Sequence, residues 1–214
     1  AHGGQVSHKA NPDGSTSVYE LNVTLYDFFN DPAHPTPAVD VRRFLASQAI
    51  LLSLAGVPGI YVHSLFGSRN CHDCFAETQR ARSLNRRKFD RAALETSLSD
   101  PAEHARLVFD GYRRMLHVRR AEPAFHPAGG QQVLDLGLAV FALLRTPPEA
   151  GRGRPVLCLQ SVSSQAQTVH LGTDLFGDHS DSSYHDLLTA TVYATVKGTA
   201  SIELAGYQTC WLVA

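Results

Sequence analysis

Hydrophobic and polar positions along the chain fall into two regimes. Residues 1–17 are rich in Gly, Ser, Asn and His and carry the turn signature Pro12-Asp13-Gly14, which predicts a loop. Tyr19–Phe29 alternates in part and is rich in β-branched and aromatic residues, so a short strand or extended segment is expected. The proline-rich run Asp31–Pro37 ends it. From Ala38 to Ala55, apolar Val41, Phe44, Leu45, Ala49, Leu51 and Leu52 recur near helical spacing and predict a helix. Gly56-Val57-Pro58-Gly59 stops that helix, because a proline ring clashes inside one and lacks the donor. Ile60–Phe66 is short and mostly apolar, the pattern of a parallel strand buried on both faces. Gly67–Lys88 follows as a long polar loop, and loops of that length are usually functional or disordered.

Asp90–Leu98 and Pro101–Arg120 predict two helices, the second with an apolar stripe that includes Leu107, Tyr112 and Met115. Beyond Glu122 the pattern changes. Val133–Leu136, Val140–Leu144, Val156–Leu159, Thr168–Leu171, Thr189–Val196, Ser201–Leu204 and Thr209–Val213 are short strand-like runs split by Gly, Pro and Ser. The organisation is α/β first and antiparallel β afterwards, with a boundary near residue 127. No internal repeat of fixed period is present.

Composition narrows the classes. With 214 residues, 43% hydrophobic and 18% charged, the chain can bury a sizeable core, as one large domain or two small ones. A formal net charge of −1 supplies no field that would gather nucleic acid or anionic lipid. The longest apolar segment, Ala49–Val57, is interrupted by Ser53 and Gly56 and is too short to span a bilayer. The N-terminal AHGGQVSHK has no starting Met and no apolar core of the signal-peptide kind, so the chain is expected to be a piece of something longer. Its four cysteines are too sparse for a disulfide framework, which makes a reducing cytoplasm the expected setting.

The Gly67–Lys88 loop concentrates candidate chemistry. It holds Arg69, Arg80, Arg82, Arg86 and Arg87, with Asn70 and Asn85. Guanidinium groups present fixed forks of donors that suit phosphate or sugar oxygens. If Ile60–Phe66 is a barrel strand, this loop faces a site, because such sites lie beyond the C-terminal strand ends. The plainer alternative is that the arginines cap helices or pair with Asp73, Glu77 and Asp90. Cys71-His72-Asp73-Cys74 has the spacing of half a zinc site, but no second pair exists to complete it. Nor does it open a helix after a first strand, as a thioredoxin-like motif would. Among carboxylates, Glu20 and Asp27 lie near the early extended segment. Asp135, Asp174, Asp178, Asp181 and Asp186 fall in expected turns. There is no GxSxG, P-loop, dinucleotide fingerprint or HExxH. Nothing completes a catalytic set, and neither a cofactor nor a metal is expected.

Several stretches together resemble one family. YELNVTLYDFFNDP, then RFLASQAILLSLAGVPGIYVHSLFGSRN, then ARSLNRRKFD, look like the C-terminal part of the sucrose phosphorylase subfamily of glycoside hydrolase family 13. The terminal AGYQTCWLV looks like the last strand of an α-amylase-type C-terminal β domain. The resemblance covers nearly the whole chain, with the first three blocks in family order and spacing. It implies that residues 1–127 are the last part of a (β/α)8 TIM barrel and that 128–214 are a C-terminal antiparallel β domain. A complete barrel takes roughly 250 residues. By resemblance, Ala1–Ser17 belongs to the loop after the seventh strand, Ala38–Ala55 to the seventh helix and Ile60–Phe66 to the eighth strand.

Family members use an Asp nucleophile, a Glu acid/base and a transition-state-stabilising Asp in a retaining mechanism through a covalent glucosyl-enzyme. The resemblance places all three upstream of Ala1, so no residue here is expected to be catalytic and the isolated chain is expected to be inactive. Tyr19 and Glu20 occupy the place of a mobile-loop Tyr-Gln pair that switches the acceptor site between phosphate and fructose. Glu in place of Gln would repel a phosphate dianion, which argues against strict sucrose phosphorolysis. Arg82 matches an arginine that contacts phosphate or acceptor, while Asn85 and Arg86 hold the loop. Tyr19, Glu20 and Arg82 are thus the expected substrate-binding residues. YELN looks closer to relatives acting on sucrose 6′-phosphate, glucosylglycerate or glucosylglycerol, and CHDC departs from the family pattern.

The leading expectation is a piece of an α-glucoside phosphorylase or glucosyl transferase of carbohydrate metabolism, releasing glucose 1-phosphate. Its expected partners are a small sugar and inorganic phosphate, with neither nucleic acid nor membrane, and the oligomeric state is left open. One alternative is an α-glucosidase or amylase-like hydrolase that uses water in place of phosphate. Another is a non-catalytic carbohydrate-binding or interaction module on residues 128–214. That module would need exposed aromatic platforms, whereas Trp211, the only Trp, sits in an apolar strand and reads as core.

Overall fold

A computed structural model of the chain describes residues 2–149, 152–176 and 183–214. Asp178 and Asp181, read above as turn carboxylates, lie outside the described residues. The described chain divides into two compact units. One comprises Ala1–Phe44 with Ile60–Asp110, and the other Leu45–Gly59 with Gly111–Ala214. The strand-rich region after residue 127 is thereby grouped with parts of two helices instead of standing alone. No described helix is long and apolar enough to cross a membrane.

The first unit opens with strands β1 (Gln5–Ala10) and β2 (Thr16–Asn22), an antiparallel hairpin where a loop was expected. The turn signature does turn the chain: Asn11 N donates to Ser15 O at 2.8 Å, and the Asp13 carboxylate accepts from Ser15. What composition hides is the pairing, which satisfies the facing backbone groups of both arms. Helix α1 (Leu25–Phe29) follows, capped by Thr24, so the second half of Tyr19–Phe29 is helical. Helix α2 (Pro37–Ser53) realises the strongest periodic segment. Its start is locked by Asp40, whose carboxylate accepts from both Thr36 N and Thr36 Oγ1 at 3.0 Å.

The expected strand Ile60–Phe66 is corrected. Val62–Leu65 forms the short helix α3, and Ile60 and Tyr61 are irregular. A strand needs a neighbour to pair its backbone, and no described strand lies beside this segment. The chain instead closes on itself, with Ser64 N and Leu65 N donating to Tyr61 O at 2.9 and 3.1 Å. The barrel strand is therefore absent from the described structure, and Ile60, Tyr61 and Val62 are exposed. Gly67, at φ +56°, turns the chain against Val108 and Tyr26, where a Cβ would fall 2.9 and 3.1 Å from their side chains.

The Gly67–Lys88 loop is also more ordered than expected. It contains helix α4 (His72–Thr78) and a 3-10 turn, Ala81–Asn85. Helices α5 (Arg91–Ser99) and α6 (His104–Ala121) complete the helical part.

The second unit carries two antiparallel sheets. Strands β3 (Gly130–Leu134), β4 (Val140–Thr146), β5 (Val156–Ser161), β6 (Gln167–Gly172), β7 (Tyr184–Asp186), β8 (Val192–Tyr193), β9 (Thr195–Val196), β10 (Thr199–Leu204) and β11 (Thr209–Val213) are described. Six form a sheet in the order β3-β4-β5-β11-β7-β8, and three form β6-β10-β9. Alternate residues on β4, β5 and β11 divide between two faces. Ala142, Leu144, Leu157, Leu159, Cys210 and Leu212 join the core shared with β6 and β10. On the other face Leu143, Cys158 and Trp211 align in register. Trp211 is fully buried, with its ring 4.6 Å from that of Phe125. It is core, and supplies no exposed platform for a sugar.

Two arginines finish helix α2 in this unit. The last carbonyls of a helix have no intrahelical donors. Arg145, fully buried, donates to Ser53 O at 2.9 Å as well as to Gly130 O and His126 O. Arg119 donates to Leu52 O and, at 2.7 Å, to Gly56 O. The stop at Gly56–Gly59 is thus completed by side chains distant in sequence.

Candidate functional site

The three residues expected to bind substrate come together in the first unit. Tyr19 and Glu20 lie on β2, and Arg82 lies on the 3-10 turn, 62 residues beyond Glu20. Arg82 Nε donates to Glu20 Oε2 at 2.9 Å. The Glu20 hydrogen bond and charge, with a smaller contribution from Tyr19, hold the Arg82 guanidinium above its ordinary range. Arginine is always charged, so the useful consequence is orientation. With Nε engaged by Glu20, the terminal nitrogens keep donors for a planar anion. Tyr19 and Arg82 remain exposed. The arrangement is an open cationic fork flanked by an aromatic ring, with one carboxylate already balancing its charge.

A polar hub connects the elements that carry this cluster. Asp27, buried on α1, accepts from Asn70 N at 2.7 Å and from Arg69 Nη1 at 3.3 Å. Asn70 in turn accepts from Thr24 N at 2.7 Å and donates to His2 O at 3.0 Å. Asn85 Nδ2 reaches Val23 O at 3.5 Å, which ties the Arg82 turn to the end of β2. The loop arginines therefore find acids other than those expected. Arg69 takes Asp27 and Arg82 takes Glu20, while Asp90 caps α5 by accepting from Ala93 N. Sequence reasoning missed Asp27 and Asn70 as organisers, because each acts across more than forty residues.

A concavity of about 300 Å³ lies apart from this cluster, between the Phe66–Arg69 turn, the Arg87–Asp90 segment and the start of α6. Arg87, Lys88, Phe89 and His104 are among its walls. Behind it His63 is buried, stacked on Phe89 with ring centres 4.8 Å apart, and bonded to Ser68 Oγ. Burial, then the Arg87 charge, lowers its pKa below the ordinary 6.5. Unfolding restores the ordinary value, so the unfolded chain binds the proton first as the solution becomes acidic. The stability linked to a neutral His63 is present above about pH 6.5 and is lost as pH falls through the lowered folded value. Denaturant titrations at pH 7.5 and 5.5 are expected to show a smaller acid loss in His63→Gln than in the parent chain.

The cysteines depart from expectation. Cys71 and Cys74 form a disulfide, whereas Cys158 and Cys210 are free and fully buried. The CxxC does open a helix, α4, with Cys71 as its cap, but it follows a turn rather than a strand. The i to i+3 spacing on one helical turn places the two sulfurs within bonding reach.

No family model matches the chain. It is 39% identical over 214 residues to "Glucosylglycerate phosphorylase" of Spirochaeta thermophila, covering 98% of this chain and 36% of that protein. It is 47% identical over 169 residues to the protein of the same description from Allomeiothermus silvanus, covering 78% of this chain and 29% of that one. The chain thus spans about a third of the length of the curated relatives it matches. Among solved structures, an α-amylase of Geobacillus thermoleovorans complexed with acarbose superposes with a TM-score of 0.65 at 15% identity, over 90% of this chain and 37% of that one. That likeness is one of fold, and the sequence likeness supplies the branch. The chain belongs to the sucrose-phosphorylase-like group of glycoside hydrolase family 13, as part of its C-terminal region.

Proposed function

We propose that this chain forms the acceptor-side arm of an α-glucoside phosphorylase. The enzyme would act on a small glucoside with an anionic aglycone, glucosylglycerate first among candidates, and release glucose 1-phosphate with retention. In this reading residues 1–127 close a (β/α)8 barrel and 128–214 form its β domain. The observation that carries the proposal is the Tyr19–Glu20–Arg82 cluster, with a fork suited to a carboxylate or phosphate. Glu20 lowers the local positive field, which favours a singly charged carboxylate over a phosphate dianion at this position.

The glycosidic bond would be broken by carboxylates supplied elsewhere in the enzyme. Of the two early candidates here, Glu20 is held by Arg82 and Asp27 is buried under Asn70 and Arg69. In this reading neither serves as one of the two carboxylates that glycoside cleavage needs flanking a bond. The 214-residue chain by itself is therefore expected to be inactive.

The experiment is a comparison of substrates in the enzyme containing this chain. Glucosylglycerate, sucrose, sucrose 6′-phosphate and glucosylglycerol are each supplied with and without inorganic phosphate. Phosphate-dependent release of glucose 1-phosphate, fastest from glucosylglycerate, is the expected result. Release of free glucose at equal rate without phosphate would replace the proposal with a hydrolase, and turnover by the isolated chain would overturn its inactivity.

A further inference from the structure

We infer that Cys71 and Cys74 are a reversible dithiol–disulfide pair that sets the rigidity of the turn carrying Arg82. Nothing in the proposed glucosyl transfer uses these sulfurs. They are partly accessible, whereas the chain's other cysteines are sealed in the second unit's sheet, where burial raises both thiols. Thiols of that kind are inert, so the partly accessible pair is the one open to exchange.

Direct bonds join the pair to the Arg82 turn. Cys71 N donates to Leu84 O at 2.7 Å, across the mouth of the 3-10 segment. Thr78 Oγ1 lies 2.7 Å from both Cys74 O and Ser83 Oγ, so the far end of α4 grips the same turn. Asn70, the residue before Cys71, is fixed by Asp27, Thr24 and His2. The disulfide-closed turn is thus held at one side by the polar hub and at the other by residues 83 and 84, which follow Arg82 directly in the 3-10 helix. Seven-residue α4 contains no fully buried residue, so little apolar packing holds it once the covalent link opens.

The chemistry is ordinary exchange with a dithiol reductant. One reductant thiolate attacks a protein sulfur, the S–S bond breaks, and the departing cysteine takes a proton. The second reductant thiol then closes on the first, releasing the other cysteine as a thiol. Two electrons and two protons pass to the protein, and the reductant becomes its own disulfide. Oxidation by a disulfide of the same class reverses each step.

The test begins with thiol trapping on the folded 214-residue chain. Iodoacetamide followed by mass spectrometry is expected to add no label before dithiothreitol and two labels afterwards, at Cys71 and Cys74. Reoxidation with oxidised dithiothreitol or diamide should abolish the labelling. Hydrogen exchange in residues 80–86 is expected to quicken about 10-fold or more on reduction, and Cys71→Ser with Cys74→Ser should show the fast rate under both conditions. Absence of dithiothreitol-dependent labels at these residues, or exchange in 80–86 unchanged by reduction and by the double substitution, would overturn the inference. A consequence for acceptor binding rests on the proposed function and is read separately, as a rise in acceptor KM with kcat little changed. If exchange responds and KM does not, the role assigned to Arg82 fails while the redox pair stands.

Discussion

Arg145→Met is expected to lower the stability of the chain by about 3 kcal/mol, the largest effect of any single substitution considered for the second unit. Methionine fills similar volume and keeps the apolar stem, so the loss isolates the guanidinium. That group is fully buried and serves Ser53 O, Gly130 O and His126 O at 2.9, 2.9 and 3.1 Å. Each is a charge-assisted bond to a carbonyl, and removing the donor leaves those oxygens without it in a place where water does not readily replace it. For a chain of this size the midpoint should fall by roughly 6–12 °C. Scanning calorimetry or chemical denaturation would measure it, and a change under about 1 kcal/mol would show that water or neighbouring donors take over. Arg145→Lys should recover only part of the loss, because an ammonium cannot span three carbonyls in fixed directions.

Arg82→Ala is expected to lower kcat/KM for glucosylglycerate roughly 10- to 100-fold in the enzyme containing this chain. The side chain is half exposed and its bond to Glu20 is a surface pair, so folding stability should hardly change. The effect comes from the fork that the pair leaves available to an anionic acceptor. Two comparisons sharpen the measurement. Arg82→Lys keeps the charge but loses the planar geometry, and should sit between parent and Ala. Glucosylglycerol, which lacks the carboxylate, should be much less sensitive to the substitution. Equal losses on the charged and uncharged substrates would show that Arg82 shapes the loop and does not recognise the anion.

Helix α2 was legible from periodicity alone, because one apolar face repeated over seventeen residues admits little else. Most of the antiparallel strands after residue 127 were legible for a similar reason, although Thr189–Val196, read as one run, begins in a turn and divides into β8 and β9 of different sheets. Short apolar runs between Gly, Pro and Ser become strands when two sheets cover them, and Trp211 is buried on the other face of its sheet, against Phe125. The short β7, Tyr184–Asp186, has no pattern long enough to announce itself.

Residue types alone marked only a loop rich in guanidinium, and Tyr19, Glu20 and Arg82 became candidates through the family resemblance. The sequence by itself therefore determined the α/β-then-β order and the main helices, because turn formers and apolar periodicity act over a few residues. Only the tertiary structure decided the rest: the Glu20–Arg82 pair, the Asp27–Asn70 hub, the arginine closure of α2 and the bonded state of Cys71 and Cys74. It also decided that Ile60–Phe66 is not a strand among the described residues. Most of these depend on a partner far along the chain, and a backbone or side-chain group can be satisfied by whichever donor or acceptor folding brings beside it.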